Sequence, residues 1–156
     1  MPNTKVQMPT AMDAVPEPVP SRAGLLAESG ENYLETILVM KERSGNGLVR
    51  AVDVANELKF SKPSVSRGLG QLKEKGLITI ANTGDLEFTP EGLERAKRIF
   101  RRHQILTAVL QDVAGVPFDI AERDACRIEH VISDESMAGI EKYLEGKGLI
   151  DAHSSM

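Results

Sequence analysis

The stretch "SKPSVSRGLGQLKEKGLITIANTGDLEFTP", residues 61–90, carries the signals that decide the fold. Ser61 followed by Pro63 is a helix start: the hydroxyl can accept from a first-turn amide, and proline suits positions whose N–H has no helical partner. Val65, Leu69 and Leu72 then recur at helical spacing, and Gly76 stops the helix. Beyond it, "LITIA" and "LEFT" are short β-like segments joined by "NTGD", in which Gly84 suits a tight hairpin. Upstream, "AVDVANELK" predicts a shorter helix with Val52, Val54, Ala55 and Leu58 on its inner side, and "FSKP" separates the two helices. Short helix, turn, helix and hairpin is the order of a winged helix-turn-helix.

The helix after the turn has the character of a DNA reader. Its first turn offers Ser61, Lys62, Pro63, Ser64, Ser66 and Arg67, small hydroxyls and basic groups placed where base edges and phosphates can be reached. The chain as a whole has net charge −4, which argues against nucleic acid. Lys59, Lys62, Arg67, Lys73 and Lys75 make this segment basic all the same, and that relieves the objection. The plainer alternative, a solvated amphipathic helix, does not account for the turn and the hairpin around it. Gly68 and Gly70 inside the helix weaken it and are read as marking the close approach of another backbone.

Outward on the N-terminal side, Tyr33, Leu34, Ile37, Leu38 and Met40 predict a helix from about Gly30, ended by Gly45 and Gly47. Residues 1–20 hold Pro2, Pro9, Pro16, Pro18 and Pro20 with few apolar residues, and we expect a disordered tail over 1–22. On the C-terminal side, Thr89-Pro90-Glu91 opens a long helix through "EGLERAKRIFRRHQILTAVLQ". Gly115 and Pro117 punctuate, one helix crosses "RDACRIEHVISDE", and Ser133 or Asp134 starts the last, to about Glu145. The expected organisation is mainly α: a winged helix-turn-helix over residues 23–95, a helical domain over 96–148, and a tail over 149–156.

With 156 residues, 41% apolar and 27% charged, the composition is that of one soluble domain or two small lobes. No apolar run spans a bilayer and nothing near Met1 resembles a secretory signal, so a cytoplasmic protein with no membrane segment is expected. The single cysteine cannot form an intrachain disulfide, which leaves Cys126 as buried filler, reactive thiol or metal ligand.

Cys126, Glu129 and His130 fall at i, i+3 and i+4, one face of a helix, where thiolate, carboxylate and imidazole could converge. That mixture suits a borderline ion such as Fe(II), Mn(II), Co(II), Ni(II) or Zn(II), and not Ca(II) or Mg(II). Helical Glu-His neighbours and small buried cysteines also arise by chance. His103 enters the core at the end of "KRIFRRH", and Asn32 and Glu35 offer an amide oxygen and a carboxylate on one side of the first helix.

In order and spacing, "ENYLETIL", "SKPSVSRGLGQLKEKGLI", "TPEGLERA", "RRHQIL" and "DACRIEHVISDE" resemble the diphtheria toxin repressor family of metal-activated transcription factors, including its manganese transport regulators. The resemblance covers about residues 25–146. It implies an N-terminal winged helix-turn-helix followed by a helical metal-binding and dimerisation domain. It also implies a homodimer on a palindromic operator in double-stranded DNA, and a repressor of metal-uptake genes. Residue by residue, it places Asn32 at a ligand position that is aspartate in manganese-type and methionine in iron-type members, a departure from both. Glu35 matches a manganese-type carboxylate, His103 a histidine of both types, Cys126 the iron-type cysteine, and Glu129 and His130 ligands of both. Glu122 stands where iron-type members carry an ancillary histidine, to bind an ion or to be solvated. The chain ends at Met156 without the SH3-like third domain of longer members, so the regulation supplied there is expected to be missing.

The hybrid set predicts Fe(II) or Mn(II) as cofactor. The Cys126 thiolate favours iron, and Co(II), Ni(II) and Zn(II) are expected to substitute in vitro. Val131, Ile132, Met137, Ile140 and Tyr143 are candidates for the dimer interface, or pack inside one subunit. Two rivals remain: a thiol-sensing winged-helix regulator using Cys126 alone, and a metallohydrolase with an open coordination position. The second finds no additional general base in the sequence and leaves the reader helix unexplained.

Overall fold

The computed structural model describes residues 22–151. Six helices and one hairpin follow in the order α1 (Arg22–Arg43), α2 (Ala51–Leu58), α3 (Lys62–Glu74), β1 (Ile78–Ile80), β2 (Leu86–Phe88), α4 (Pro90–Val113), α5 (Phe118–Ile128) and α6 (Asp134–Gly146). The expected tail over residues 1–22 lies outside the described residues except for Arg22. Helix α1 begins well before Gly30, which it runs straight through. A glycine inside a helix weakens it without ending it.

Side chains set the helix boundaries. Ser61 caps α3 by accepting from Ser64 N, with Pro63 in the first turn. Thr89 caps α4 by accepting from Gly92 N, and Ser133 caps α6 by accepting from Ser136 N. Each supplies an acceptor to an amide with no intrahelical partner. The turn between α2 and α3 passes through Lys59 at φ 56°, a left-handed conformation unusual for a residue with a side chain.

β1 and β2 pair antiparallel, Ile78 opposite Phe88 and Ile80 opposite Leu86, with Gly84 at φ 85° in the turn. One core joins α1 to α3, the hairpin and the start of α4: Leu34, Ile37, Val54, Val65, Leu69, Leu77, Leu86 and Ala96 are among its most enclosed side chains. Val52, expected on the inner side of α2, is instead 42% exposed.

Two glycines permit close approach. A Cβ on Gly92 would lie 1.7 Å from the Leu77 carbonyl oxygen, so the first turn of α4 sits directly on the strand entry. A Cβ on Gly68 would lie 2.1 Å from Cε2 of Tyr33, so α3 receives an aromatic ring there and not a backbone, while Gly70 faces open space.

Helix α4 carries on from the first core, through Ala96 and Ile99, into a second built from Ile105, Leu106, Ala125, Met137 and Leu144. Ile150, within the stretch expected as tail, packs half-buried against this second core. Met137 is buried inside the subunit and Ile132 and Ile140 pack against the same core, whereas Val131 and Tyr143 are exposed.

Candidate functional site

The two units meet where α1 crosses α4 and the end of α5, and charged side chains gather there. Glu35 projects from α1 and is buried, although an acidic side chain on a surface helix ordinarily stays in water. Glu129 and His130 lie just past the last residue of α5, not within it. Glu129 is the C-cap, still helical at φ −56° and ψ −26°, and its N–H donates to Ala125 O at 2.9 Å. The chain then leaves the helix to reach the Ser133 cap. Arg102 of α4 satisfies the freed carbonyls by donating to Glu129 O and Ile132 O, each at 3.1 Å, and pairs with Asp134.

Glu35, Glu129 and His130 form a compact group, with one donor atom of each within 4.8 Å of the others. His103 Nδ1 stands 2.9 Å from Glu129 Oε2 and 3.7 Å from Glu35 Oε1, while its Nε2 is 3.8 Å from Glu122 Oε1. His130 Nδ1 contacts Glu31 Oε2 at 2.8 Å, and its Nε2 is 3.2 Å from Glu129 Oε1. Asn32 and Cys126 line the adjoining cleft of about 820 Å³ with Glu35, His103 and Glu122. Asn32 is half-buried and its backbone carbonyl accepts from the Thr36 hydroxyl. Cys126 is exposed, beside His130 but outside the compact group.

The protonation states follow from this crowding. Burial pushes the Glu35 carboxyl up to about 8, reinforced by hydrogen bonding to, and the charge of, the neighbouring Glu129 carboxyl. Burial also raises Glu129, against the pull of its hydrogen bond to Glu35 and the charges of His130 and Arg102. For His130, burial opposes the charged form, yet Cys126, Glu31 and Glu129 outweigh it and lift the imidazolium to about 10.

Among the described residues, two buried oxygens, Glu35 Oε2 and Glu129 Oε1, have no hydrogen-bond partner, and the 3.2 Å approach of His130 Nε2 to the latter lacks hydrogen-bond geometry. Unsatisfied buried carboxylate oxygens are costly and rare, and a cation is one thing that satisfies them. With two imidazoles and a nearby thiol, the donor set fits a borderline divalent transition ion better than an all-oxygen ion.

Sequence reasoning overlooked Glu31, although Glu31 and Glu35 are i and i+4 on one helix face and that spacing was available. It also read Arg102 only as part of a cationic run.

At the other end of the first unit, Ser61, Lys62, Pro63, Ser66 and Arg67 are exposed and Ser64 is half-buried, with Ser61 Oγ donating to Ser64 Oγ at 2.8 Å. The apolar side of the same helix, Val65, Leu69 and Leu72, is buried. The opening turn of α3 is therefore a free polar edge held on a packed scaffold.

A winged helix-turn-helix joined to a helical unit with a carboxylate and histidine cluster at the junction defines a class of metal-responsive DNA-binding regulators. Residues 25–86 match the iron dependent repressor N-terminal DNA binding domain, and residues 89–147 match the iron dependent repressor metal binding and dimerisation domain. The chain belongs to the iron-dependent repressor family. It is 32% identical over 120 residues to the diphtheria toxin repressor of Corynebacterium diphtheriae, covering 77% of this chain and 52% of the relative. To the iron-dependent repressor IdeR of Mycobacterium leprae it is 33% identical over 110 residues, 70% of this chain and 47% of the relative. Among solved structures, a manganese-dependent transcriptional repressor in complex with manganese superposes with a TM-score of 0.70 at 28% identity, over 78% of this chain and 53% of that one. The chain thus spans about half the length of the curated relatives it matches. Family descriptions of this kind are of repressors, not of enzymes.

Proposed function

We propose that this chain is a cytoplasmic, homodimeric transcriptional regulator that binds double-stranded DNA in response to Fe(II) or Mn(II) and represses metal-uptake genes. The observation that carries the reading is the pair of unsatisfied buried oxygens on Glu35 and Glu129, one on each side of the junction between the two units. Among the described residues no helix is long and apolar enough to cross a membrane, in keeping with that location.

Glu35, His103, Glu129 and His130 would hold the ion, with Cys126 and Asn32 at the cleft side. The ion would supply positive charge and coordination bonds to groups on both units. Glu31 engages His130 Nδ1 and so turns Nε2 toward Glu129, the orienting role a carboxylate commonly plays behind a ligating histidine. Arg102 fixes the backbone that carries Glu129. Glu35 belongs to α1, which packs on α3, so a constraint on Glu35 is a constraint on the reader helix. Only a ligand that prefers the DNA-competent arrangement can shift the equilibrium toward it, and groups drawn from both units give that preference.

Ser61, Lys62, Pro63, Ser64, Ser66 and Arg67 would enter the major groove, the hydroxyls and Arg67 toward base edges and Lys62 toward phosphate. The division at about residue 95 puts reader and sensor on one continuous α4. A homodimer presents two reader helices to a palindrome. The exposed Val131 and Tyr143, with an apolar groove between Val109, Val113, Ile140 and Tyr143, suit its interface.

The test is an anaerobic titration of the full chain against a duplex selected from a random-sequence pool. Fe(II), Mn(II), Co(II) and Zn(II) are added separately. Activation by Fe(II) or Mn(II) is expected, with Cys126→Ala blunting iron more than manganese. Equal DNA affinity with metal and with chelator contradicts the reading, and loss on peroxide treatment alone would favour thiol sensing by Cys126.

A further inference from the structure

Helix α1 has a second polar anchor at its far end. Lys41 lies six residues beyond Glu35, about 9 Å along the axis at the usual rise per residue. Its Nζ donates to Gly47 O at 2.9 Å and to both oxygens of Asp85, at 3.2 and 3.4 Å. Asp85 sits at the base of the hairpin, one residue before β2, and its side chain is only 10% exposed. Oδ1 also accepts from Val49 N at 2.8 Å, and Val49 O in turn accepts from Leu86 N at 2.8 Å. The Val49 amide holds the Asp85 carboxyl below the usual carboxylate range against the opposing effect of burial, and Lys41 adds to it. One carboxylate thus fastens α1, the segment that leads into α2, and the wing.

We infer that Lys41 and Asp85 are positioning residues that carry the placement of α1, set at the metal cluster, into the placement of the wing on DNA. The inference rests on the reading of the preceding subsection. Helix α1 is unbroken from Glu31 to Lys41, so its two ends move together. An ion pair with little exposure is directional and costly to break by removing one partner, because the other is left buried and unpaired. Apolar contact is non-directional, whereas this ion pair is aimed. The fork of Lys41 on Asp85, with Val49 on the same oxygen, fixes where the wing tip at Asn82 and Thr83 stands.

The test measures the ratio of DNA affinity with and without Mn(II) for the wild type, Lys41→Met and Asp85→Asn. Asp85→Asn keeps an oxygen for the Val49 amide. Each variant is expected to lose about fivefold or more of that ratio, a shift in the range of ordinary allosteric couplings. Mn(II) affinity without DNA should stay within about twofold, since neither residue is in the ligand cluster. A role in folding alone would lower DNA affinity with and without metal equally, leave the ratio at the wild-type value, and overturn the inference.

The wild type gives a second readout that needs no variant. Amide exchange at Ala81, Gly84 and Leu86, which bond within the hairpin base and to Val49, should slow when Mn(II) is added. Unchanged exchange there would also overturn the inference. If wild-type DNA affinity itself ignores metal, the function proposed above fails and this inference falls with it. If the wild type responds and both variants respond as fully, only this inference fails.

Discussion

The reading unit and the sensing unit share helix α4 but are held together differently. Among the described residues, the first buries fifteen apolar side chains in one cluster and the second five. The first is closed by contacts with no spare room, Gly92 on the Leu77 carbonyl and Gly68 under the Tyr33 ring. The junction with the second buries Glu35 and Glu129, two neighbouring carboxyls each with an oxygen left unsatisfied. A large dry core makes a rigid reader. A small core beside buried carboxyls with unsatisfied oxygens makes a part whose stability depends on what binds it.

The sharpest way to break the rigid side is Gly92→Ala. Its Cβ would meet backbone and not a yielding side chain, so a loss of about 3 kcal/mol is expected from overpacking. Thermal or urea unfolding checks it, and a variant as stable as wild type would mean that α4 can lift from the hairpin. The responsive side should answer metal almost as strongly. Saturation at a hundredfold excess over Kd stabilises by about 2.7 kcal/mol, read as a rise in Tm that Glu129→Ala abolishes.

Acidity sets the junction apart from the reader's core. Glu35 holds its proton to about 8 and His130 its charge to about 10, while unfolded groups of these types release theirs near 4.5 and 6.5. Between each pair of values the native chain binds more protons than the unfolded one. The stability these protons give is therefore present on the acid side and falls as pH rises, through the window up to about 8 for Glu35 and about 10 for His130. Metal binding competes for the same protons, so affinity should climb over that range. The gap in Tm between loaded and metal-free protein should widen from about pH 6 to about pH 8, and a constant gap would contradict the claim that the ion displaces protons held by Glu35 and His130.

Smaller effects refine the reader. Lys62→Ala, if Lys62 meets phosphate, should weaken binding evenly across sequences and reduce the salt slope by about one, with metal affinity unchanged. Gly70→Ala, facing open space in the middle of α3, should stabilise by up to about 1 kcal/mol, whereas Gly68→Ala should destabilise. Equal effects at the two glycines would remove the Tyr33 contact from the account.

Much of this was legible in the sequence because it is local. Ser61 with Pro63, Thr89 with Pro90, and Ser133 mark helix starts by chemistry that acts within one turn. Gly84 marks the hairpin for the same kind of reason. Residue type and spacing singled out the site residues, the likeness to a known family matched them to ligand positions, and the structure brings Glu35, His103, Glu129 and His130 together while leaving Cys126 and Asn32 at the side of the cleft. What escaped is contact between distant segments. Glu31 meets His130 across 99 positions and Lys41 meets Asp85 across 44, and no periodicity in either segment announces its partner. Val52 fits the apolar pattern of α2 yet is exposed, because periodicity names a face and not what covers it.

The most direct measurement is the affinity of the full chain for its selected duplex, with and without saturating Mn(II), in wild type and Glu35→Ala. Glu35 is the one buried carboxyl that α1 gives to the cluster, so the account predicts a rise of about tenfold or more for wild type and little or none for the variant. A Glu35→Ala protein that folds, binds Mn(II) and gains DNA affinity as fully as wild type would contradict the claim that the ion ties the reader to the sensor.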